Sequence, residues 1–108
     1  MAALLGIFEQ AVMLSIIRLD DGAYGRAILA DVEARLGRAV SFGAVQATLS
    51  RLEQKEFVTS HLGPGTEVRA GRPRRYYRLS LAGRRALKEA RVAVTTLWRG
   101  FRPQQVFA

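Results

Sequence analysis

The stretch that decides the fold is residues 41–56, which read SFGAVQATLSRLEQKE. Ser41 is a typical helix N-cap, because its hydroxyl can accept a hydrogen bond from a backbone N–H of the first turn. Val45, Leu49 and Leu52 follow at helical spacing and predict one buried stripe. The opposite face and its flanks carry small or short polar side chains where an ordinary solvated helix would carry Glu and Lys. We therefore expect this helix to approach another molecule closely.

Two helices are predicted before residue 41. Over residues 4–19 the apolar side chains recur at three- and four-residue spacings, and the turn-forming residues 20–22 end the pattern. Residues 24–36 repeat an apolar side chain at every fourth position, and Gly37 follows where a left-handed C-cap is expected. Gly25 in this helix is expected to allow close packing of a neighbouring helix.

A two-stranded hairpin is predicted after the third helix. Residues 57–62 and 75–79 are rich in β-branched and aromatic side chains, and a tip containing Gly and Pro separates them. Alternation along the second strand predicts that Tyr77 packs inward, whereas Tyr76 shares a face with arginines. His61 is expected on the strand surface, with a role as a pH switch as the alternative.

Ser80 caps a last helix that is predicted to run to about residue 99. The 3-4-3-4 spacing of a helix that pairs with another helix is followed by Leu87, Ala90, Val94, Leu97 and Phe101. We expect a homodimer through this seam, with Trp98 packed in it and with Leu4 and Phe8 of the first helix contributing. The alternative is that the seam folds back on its own domain.

The composition excludes several classes of protein. The chain has 108 residues, a net charge of +8, no cysteine and one histidine. Disulfide frameworks, thiol nucleophiles and cysteine or multi-histidine metal sites are therefore excluded, and we expect no catalytic residue, metal or cofactor. The length fits one structural unit, which we divide into residues 1–80 and a C-terminal helix and tail over residues 81–108. Because charges interrupt the apolar N-terminal stretch, we expect mature cytoplasmic sequence with no membrane segment.

The positive charge is concentrated in the second half of the chain. Residues 1–56 carry six basic and seven acidic side chains, whereas residues 57–108 carry eleven basic and two acidic ones. A patch of this kind favours a polyanionic partner.

Three helices, a basic hairpin and a trailing helix are the parts of a winged helix-turn-helix, a mainly α fold with a small β-hairpin (α+β). In that fold the helix over residues 41–56 enters the major groove of double-stranded DNA, and the wing, residues 63–75, lies on the minor groove or the backbone. Gln46 can pair with adenine, Arg51 can reach guanine or a phosphate, and Thr48 is a further short donor. The candidate DNA-binding residues are Ser41, Gly43, Ala44, Gln46, Ala47, Ser50 and Arg51 of the helix, Arg69, Arg72, Arg74 and Arg75 of the wing, and Tyr24.

Five segments resemble the PadR family of transcriptional regulators, and together they cover about residues 4–90. They are Tyr24-Gly25 with Ile28, VSFGAV at residues 40–45, LSRLEQK at 49–55, GRPRRYYRL at 71–79 and AGRRAL at 82–87. The resemblance implies a bacterial cytosolic repressor that dimerises through its C-terminal helix with help from the first helix and binds an inverted repeat. It also implies release by a signal such as a small-molecule effector, whose identity the residues do not reveal.

Two positions depart from the family pattern. The family often has tyrosine where this chain has Gln46, commonly followed by proline where it has Ala47, so the contacts of that tyrosine do not carry over. Glu56 stands where the family usually places a glycine, at the turn into the first strand. The C-terminal region is a single helix with a short tail, as in the shorter members, without a large effector-binding domain.

Other interpretations remain open for several residues and for the whole chain. Arg51 could instead bridge to an acidic residue of a neighbouring helix, Tyr24 could be a core aromatic residue, and the arginines of the wing could form a solvated loop. The chain could also be an adaptor that binds RNA or a protein through the basic surface. Enzymatic activity is the weakest hypothesis, because the sequence contains no catalytic dyad and no phosphate-binding glycine loop that opens a helix.

Overall fold

The structure is a computed structural model that describes residues 4–65 and 73–107. It is mainly helical, with one antiparallel hairpin, which confirms the predicted fold class. A short 3-10 turn, Asp20–Gly22, follows the first helix. The other elements are α1 (Ile7–Leu19), α2 (Gly25–Leu36), α3 (Phe42–Gln54), β1 (Val58–Gly65), β2 (Pro73–Leu79), α4 (Leu81–Trp98) and α5 (Pro103–Phe107).

The predicted helix caps are confirmed. The hydroxyl of Ser41 accepts a hydrogen bond from the backbone N–H of Ala44 at 3.0 Å, and that of Ser80 accepts one from Gly83 at the same distance. Gly37 takes a left-handed conformation, with φ of 65°, directly after α2. These local interactions set the starts of α3 and α4 and the end of α2.

Helices α1 and α3 are shorter than the periodicity predicts. Helix α1 begins at Ile7 because the carboxylate of Glu9 accepts a hydrogen bond from the N–H of Gly6 and caps the helix there. Helix α3 ends at Gln54, because Glu56 takes φ of 63°, in the left-handed region where glycine is favoured. The N–H groups of Glu56 and Phe57 donate to the carbonyls of Glu53 and Leu52, which is a Schellman motif.

The core lies where α1, α2 and α3 meet the inner face of the hairpin. Tyr77 of β2 is buried, as predicted, and its N–H donates to the carbonyl of Ala23 at 2.8 Å, which ties the sheet to the start of α2. Residues 58 to 62 of β1 pair with residues 79 to 75 of β2, and the register becomes irregular between Leu62 and Gly65. Besides Tyr77, the buried apolar residues are Leu5, Val12, Met13, Ile16, Ala23, Ile28, Val32, Val45, Leu49, Leu52, Val58 and Ala90.

Two polar links join α1 to its neighbours. The hydroxyl of Ser15 and Nε of Arg18 both donate to Oδ2 of Asp31 in α2, the second at 3.0 Å. The hydrogen bond from Arg18 outweighs partial burial and lowers the pKa of Asp31. Lys55 donates to Oε2 of Glu9 at 2.8 Å; burial opposes ionisation of Glu9, but this bond and the one from Gly6 lower its pKa.

Helix α4 packs against the rest of the molecule only along its first half. Gly83 packs directly on the backbone carbonyl of Phe57, so close that an added Cβ would lie 2.1 Å from that oxygen. Ala90 is buried, but the side chains beyond it are mostly exposed. The helix ends at Trp98, whose ring lies 6.0 Å from that of Phe107 in α5.

Candidate nucleic-acid interface

The outer face of α3 is exposed and nearly free of charge. Among its predicted contact residues, the exposed ones are Ser41, Gly43, Ala44, Ala47, Ser50 and Arg51. Thr48 was predicted to be a short hydrogen-bond donor to DNA, and this is wrong: it is 1% exposed, because it continues the buried stripe one turn after Val45. Nη2 of Arg51 donates to the hydroxyl of Thr48 at 3.0 Å, and within the described residues no salt bridge joins Arg51 to a neighbouring helix.

A cavity of about 230 Å³ opens where the start of α2, the start of α3 and β2 come together. We call it the arginine crevice, because three of its lining residues are arginines and none is acidic. Its lining residues are Tyr24, Gly25, Arg26, Phe42, Gln46, Arg74, Arg75 and Tyr77. Burial raises the pKa of the Tyr77 hydroxyl, with a smaller contribution from the charge of Glu53, so this group stays neutral at physiological pH.

Aromatic rings support the arginines of this crevice. The guanidinium of Arg74 lies over the ring of Tyr24, 4.1 Å from its centroid, and that of Arg26 lies over the ring of Phe42 at 3.9 Å. Tyr24 also makes an edge contact with Tyr76, which in turn stacks on His61 at 5.9 Å. Tyr24 is therefore half-buried and acts as a platform for Arg74.

Gly25 of α2 lies close to the side chains of Gln46 and Phe42 in α3. A Cβ on Gly25 would lie 2.9 Å from Nε2 of Gln46 and 3.1 Å from the ring of Phe42. This agrees with the expectation that Gly25 permits close helix packing. Gln46 is half-buried at the crevice wall, whereas Ser50 and Arg51 lie fully on the outer face of α3.

The hairpin arginines differ in what they contact. Nη1 of Arg75 donates to the hydroxyl of Ser60 at 3.0 Å. Arg78 is paired with Asp20 and Asp21, two ion pairs that the sequence did not suggest. Arg69 and Arg72 lie outside the described residues. Sequence reasoning also missed Arg26 and Phe42, although the position of Arg26 next to Gly25 at a helix start was a usable signal.

A second opening lies between α1 and α4. This α1–α4 groove has a volume of about 550 Å³ and an apolar floor. Its lining residues are Ile7, Gln10, Leu14, Leu87, Lys88, Arg91, Val94 and Thr95.

The residues predicted for a dimer interface divide into two groups. Ala90 is buried within its own domain, and Phe8 and Leu87 are half-buried against its core, as the fold-back alternative expects. Val94, Trp98 and above all Leu97, which is 73% exposed, face outward, as does Leu4 ahead of α1. Phe101 was expected to continue the helical seam, and this is wrong: α4 ends at Trp98, and Gly100 turns the chain away with φ of 87°.

Residues 4–65 and 73–107 contain neither a membrane-spanning helix nor a cluster of metal-ligating side chains. No helix there is both long and apolar enough to cross a bilayer. No group of three or more His, Asp or Glu side chains in that part of the chain could hold a metal ion.

One family model and several solved structures match the chain. A model described as the transcriptional regulator PadR-like family matches residues 13–89. A PadR-like transcription factor from Bacteroides fragilis is 25% identical, with a TM-score of 0.70 over 85% of this chain and 84% of its own. A PadR family transcriptional regulator from Eggerthella lenta is 29% identical, with a TM-score of 0.65 over 82% of this chain and 75% of its own.

A third similar structure is a much longer protein. The Orc1 protein of Aeropyrum pernix, solved in complex with DNA, is 26% identical, with a TM-score of 0.60 over 85% of this chain but only 26% of its own. No curated protein sequence matches the chain.

Proposed function

The chain belongs to the PadR-like family of transcriptional regulators, and from that premise we propose that it is a dimeric, sequence-specific repressor that binds an inverted repeat in double-stranded DNA. The observation that carries the proposal is the outer face of α3, whose small, exposed side chains lie beside the arginine crevice. A helix with such a face can enter the major groove without steric hindrance. The similar Orc1 structure, which contains DNA, supports a nucleic-acid role for the shared fold.

In this proposal α3 reads the bases. Ser50 and Arg51 stand exposed on its outer face and can reach base edges or phosphates. Gly43, Ala44 and Ala47 allow close approach of the backbone, and Ser41 lies at the N-terminus of the helix. Gln46 and Tyr24, which line the arginine crevice, are further candidate DNA-binding residues.

The wing contributes affinity. Arg74 and Arg75 lie at its described base, and Arg69 and Arg72 are assigned to it from the sequence. Arginine suits this position, because its planar, weakly hydrated cation tolerates confinement in a narrow minor groove.

The C-terminal region contributes dimerisation. We assign residues 1–80 to the DNA-binding unit and residues 81–108 to the helix and tail that pair with a second copy. The exposed side chains of Val94, Leu97 and Trp98 support this assignment, and so does the apolar floor of the α1–α4 groove. A two-fold dimer would present its α3 helices to half-sites about one helical turn apart, roughly 34 Å.

We further infer a cytoplasmic regulator with no catalytic activity. A small-molecule effector that releases the DNA is part of the proposal, with the space between the dimer helices and the DNA-binding helices as its place. These points rest on the family and on the absence of a catalytic motif from the sequence.

The test is selection of bound duplexes from a random DNA pool, followed by titration of the selected site and of a random duplex. We expect enrichment of one inverted repeat. Alanine at Ser50 or Arg51 should weaken binding to the selected site about tenfold, and binding to the random duplex less. Thr59→Ala, an exposed change on β1, is the control.

Two outcomes would contradict the proposal. One is a pool without enrichment. The other is equal affinity for all duplexes that depends on Arg74 but not on Ser50 or Arg51, and this result would favour the adaptor that binds RNA or a protein through the basic surface.

A further inference from the structure

We propose that the arginine crevice is a phosphate-binding site that holds one backbone phosphate of the bound DNA beside the first turn of α2. The inference rests on the proposed function, because it assigns the phosphate to DNA. It adds Arg26 to the predicted contact residues and changes the role of Tyr24 from a direct contact to a support for Arg74.

The lining of the crevice is cationic, and one acid outside the lining, Glu53, is linked to Arg75 through the hydroxyl of Ser60. Arg26, Arg74 and Arg75 all contribute to it, and its lining residues include no Asp or Glu. Some arginines elsewhere are paired with acids, as Arg18 is with Asp31 and Arg78 is with Asp20 and Asp21. Three like charges around one cavity repel one another, and an anion between them relieves that repulsion.

One of the arginines that line the crevice has a donor without an acceptor. Nε of Arg74 is buried and has no hydrogen-bond partner within the described residues. A buried donor without a partner is unfavourable, so most native structures avoid it. An oxygen atom in the crevice would supply the missing acceptor once the Arg74 side chain turns its Nε–H toward it.

The start of α2 adds backbone donors on the same side. Its N-cap, Tyr24, makes no side-chain hydrogen bond to the first turn, so the N–H groups of Gly25, Arg26 and Ala27 have no capping partner. Gly25 and Arg26 line the crevice. The positive end of the helix dipole favours an anion at this place.

The rings hold the guanidinium groups in fixed orientations. Arg74 rests on Tyr24 and Arg26 rests on Phe42, at 4.1 and 3.9 Å from the ring centroids. A guanidinium that is already oriented loses less side-chain freedom when it binds, and its planar donors match the oxygens of a phosphate group. The volume of about 230 Å³ equals that of about eight water molecules, enough for a phosphodiester group.

The position of the crevice identifies DNA as the source of the phosphate. Phe42 and Gln46, two of its lining residues, belong to the first and second turns of α3. A helix that lies in the major groove is flanked by the phosphates at the groove edge, and α2 crosses the backbone there in this fold. The crevice would fix the position of α3 along the duplex without reading sequence.

The first arm of the test uses inorganic phosphate and the free protein. Amide signals of Gly25, Arg26 and Ala27 and the Nε–H signal of Arg74 are followed by NMR during a phosphate titration at constant ionic strength. We expect saturable shifts in the wild type. Arg26→Gln should weaken phosphate binding about tenfold. Gly25→Ala, which fills the crevice without changing its charge, should also weaken it, and Arg99→Gln, the same loss of charge at the end of α4, should not.

The second arm uses duplex DNA at several salt concentrations. Loss of one phosphate contact in each subunit should reduce the slope of log affinity against log salt by about 0.9 per subunit in Arg26→Gln. Arg99→Gln should keep the wild-type slope. Thermal unfolding of each variant verifies that the fold is intact.

The two arms separate failure of this proposal from failure of the proposed function. Absence of saturable shifts in a protein that binds DNA overturns the phosphate site alone. Phosphate binding together with an unchanged salt slope in Arg26→Gln overturns the assignment to DNA and identifies a free phosphate compound as the ligand. Phosphate binding by a protein with no affinity for duplex DNA overturns the proposed function and, with it, the assignment to DNA.

Discussion

The arginine crevice and the α1–α4 groove are both open cavities, but they are built from opposite kinds of residue. The crevice, at about 230 Å³, is lined by arginines that rest on aromatic rings, whereas the groove, at about 550 Å³, has a floor of aliphatic side chains. Charge interactions are directional and are screened by salt, while apolar contacts depend on buried area and are not weakened by salt. One small fold therefore carries two surfaces whose contacts respond differently to the same conditions.

The largest expected difference between the two surfaces is their response to salt. If each subunit neutralises about four to six phosphates, the slope of log affinity against log salt is roughly −4 to −5 per subunit. A fourfold rise in salt should then weaken DNA binding by the dimer about 10⁴-fold or more. Dimerisation through the α1–α4 groove should stay constant or strengthen. Fluorescence anisotropy and sedimentation equilibrium in the same buffers measure the two effects, and parallel weakening would contradict the comparison.

The next largest effect is expected from a charge on the apolar surface. Leu97→Asp should raise the dimer dissociation constant at least 100-fold. Burial of one leucine side chain contributes about 1.5–3 kcal/mol, and a two-fold dimer buries one Leu97 from each subunit. Val92→Asp is the matched control: Val92 is also exposed on α4 but lies about 140° around the helix from Leu97. Sedimentation equilibrium measures both variants. Equal effects would show that the proposed interface is on the wrong face.

A smaller effect is expected at the joint between the two surfaces. Gly83→Ala places a Cβ 2.1 Å from the carbonyl oxygen of Phe57, so α4 must shift away from the DNA-binding unit. The free energy of unfolding should fall by about 2–3 kcal/mol. Gly43→Ala is the control, because that glycine has open space around it and alanine favours the helix. Thermal denaturation should show a clear loss for the first variant only.

The hydrogen bonds that join Asp31 of α2 to α1 should contribute less to the free energy of unfolding. Asp31 has a lowered pKa in the folded protein, so its ionised form stabilises the fold above its unfolded pKa, and the contribution disappears as the pH falls through the folded value. Asp31→Asn should cost about 1 kcal/mol near neutral pH. The difference from the wild type should shrink below about pH 4. Urea unfolding between pH 3 and pH 7 measures it, and a difference independent of pH would exclude the ion pair as its source.

Features that depend on neighbouring residues along the chain could be predicted from the sequence. The caps at Ser41 and Ser80 and the left-handed Gly37 each require only one turn of helix, and alternation was enough to place Tyr77 inside. Thr48 was wrongly counted among the donors to DNA on the strength of its hydroxyl alone. Its spacing from Val45 and Leu52 already placed it on the buried stripe.

The arginine crevice could not be predicted in the same way. The contacts between Arg26 and Phe42 and between Arg74 and Tyr24 join residues of different elements. They depend on how the start of α2 packs against α3 and β2, and periodicity carries no information about that packing. The end of α4 at Trp98, by contrast, lies within one residue of the predicted end near residue 99, and Gly100 was a local signal against continuing the seam to Phe101.

The left-handed backbone at Glu56 lowers the stability of this protein below what the same fold could reach with glycine at that position. A side chain at φ of 63° is strained relative to glycine, and here the Schellman motif and a hydrogen bond from the Ser80 hydroxyl to the Glu56 carbonyl, at 2.7 Å, hold it in place. Glu56→Gly should relieve the strain and raise the unfolding free energy by up to about 1 kcal/mol, less the added freedom of glycine in the unfolded chain. Because Glu56 lines neither cavity, the melting temperature could be engineered upward there independently of DNA binding and dimerisation, and calorimetry would measure the gain.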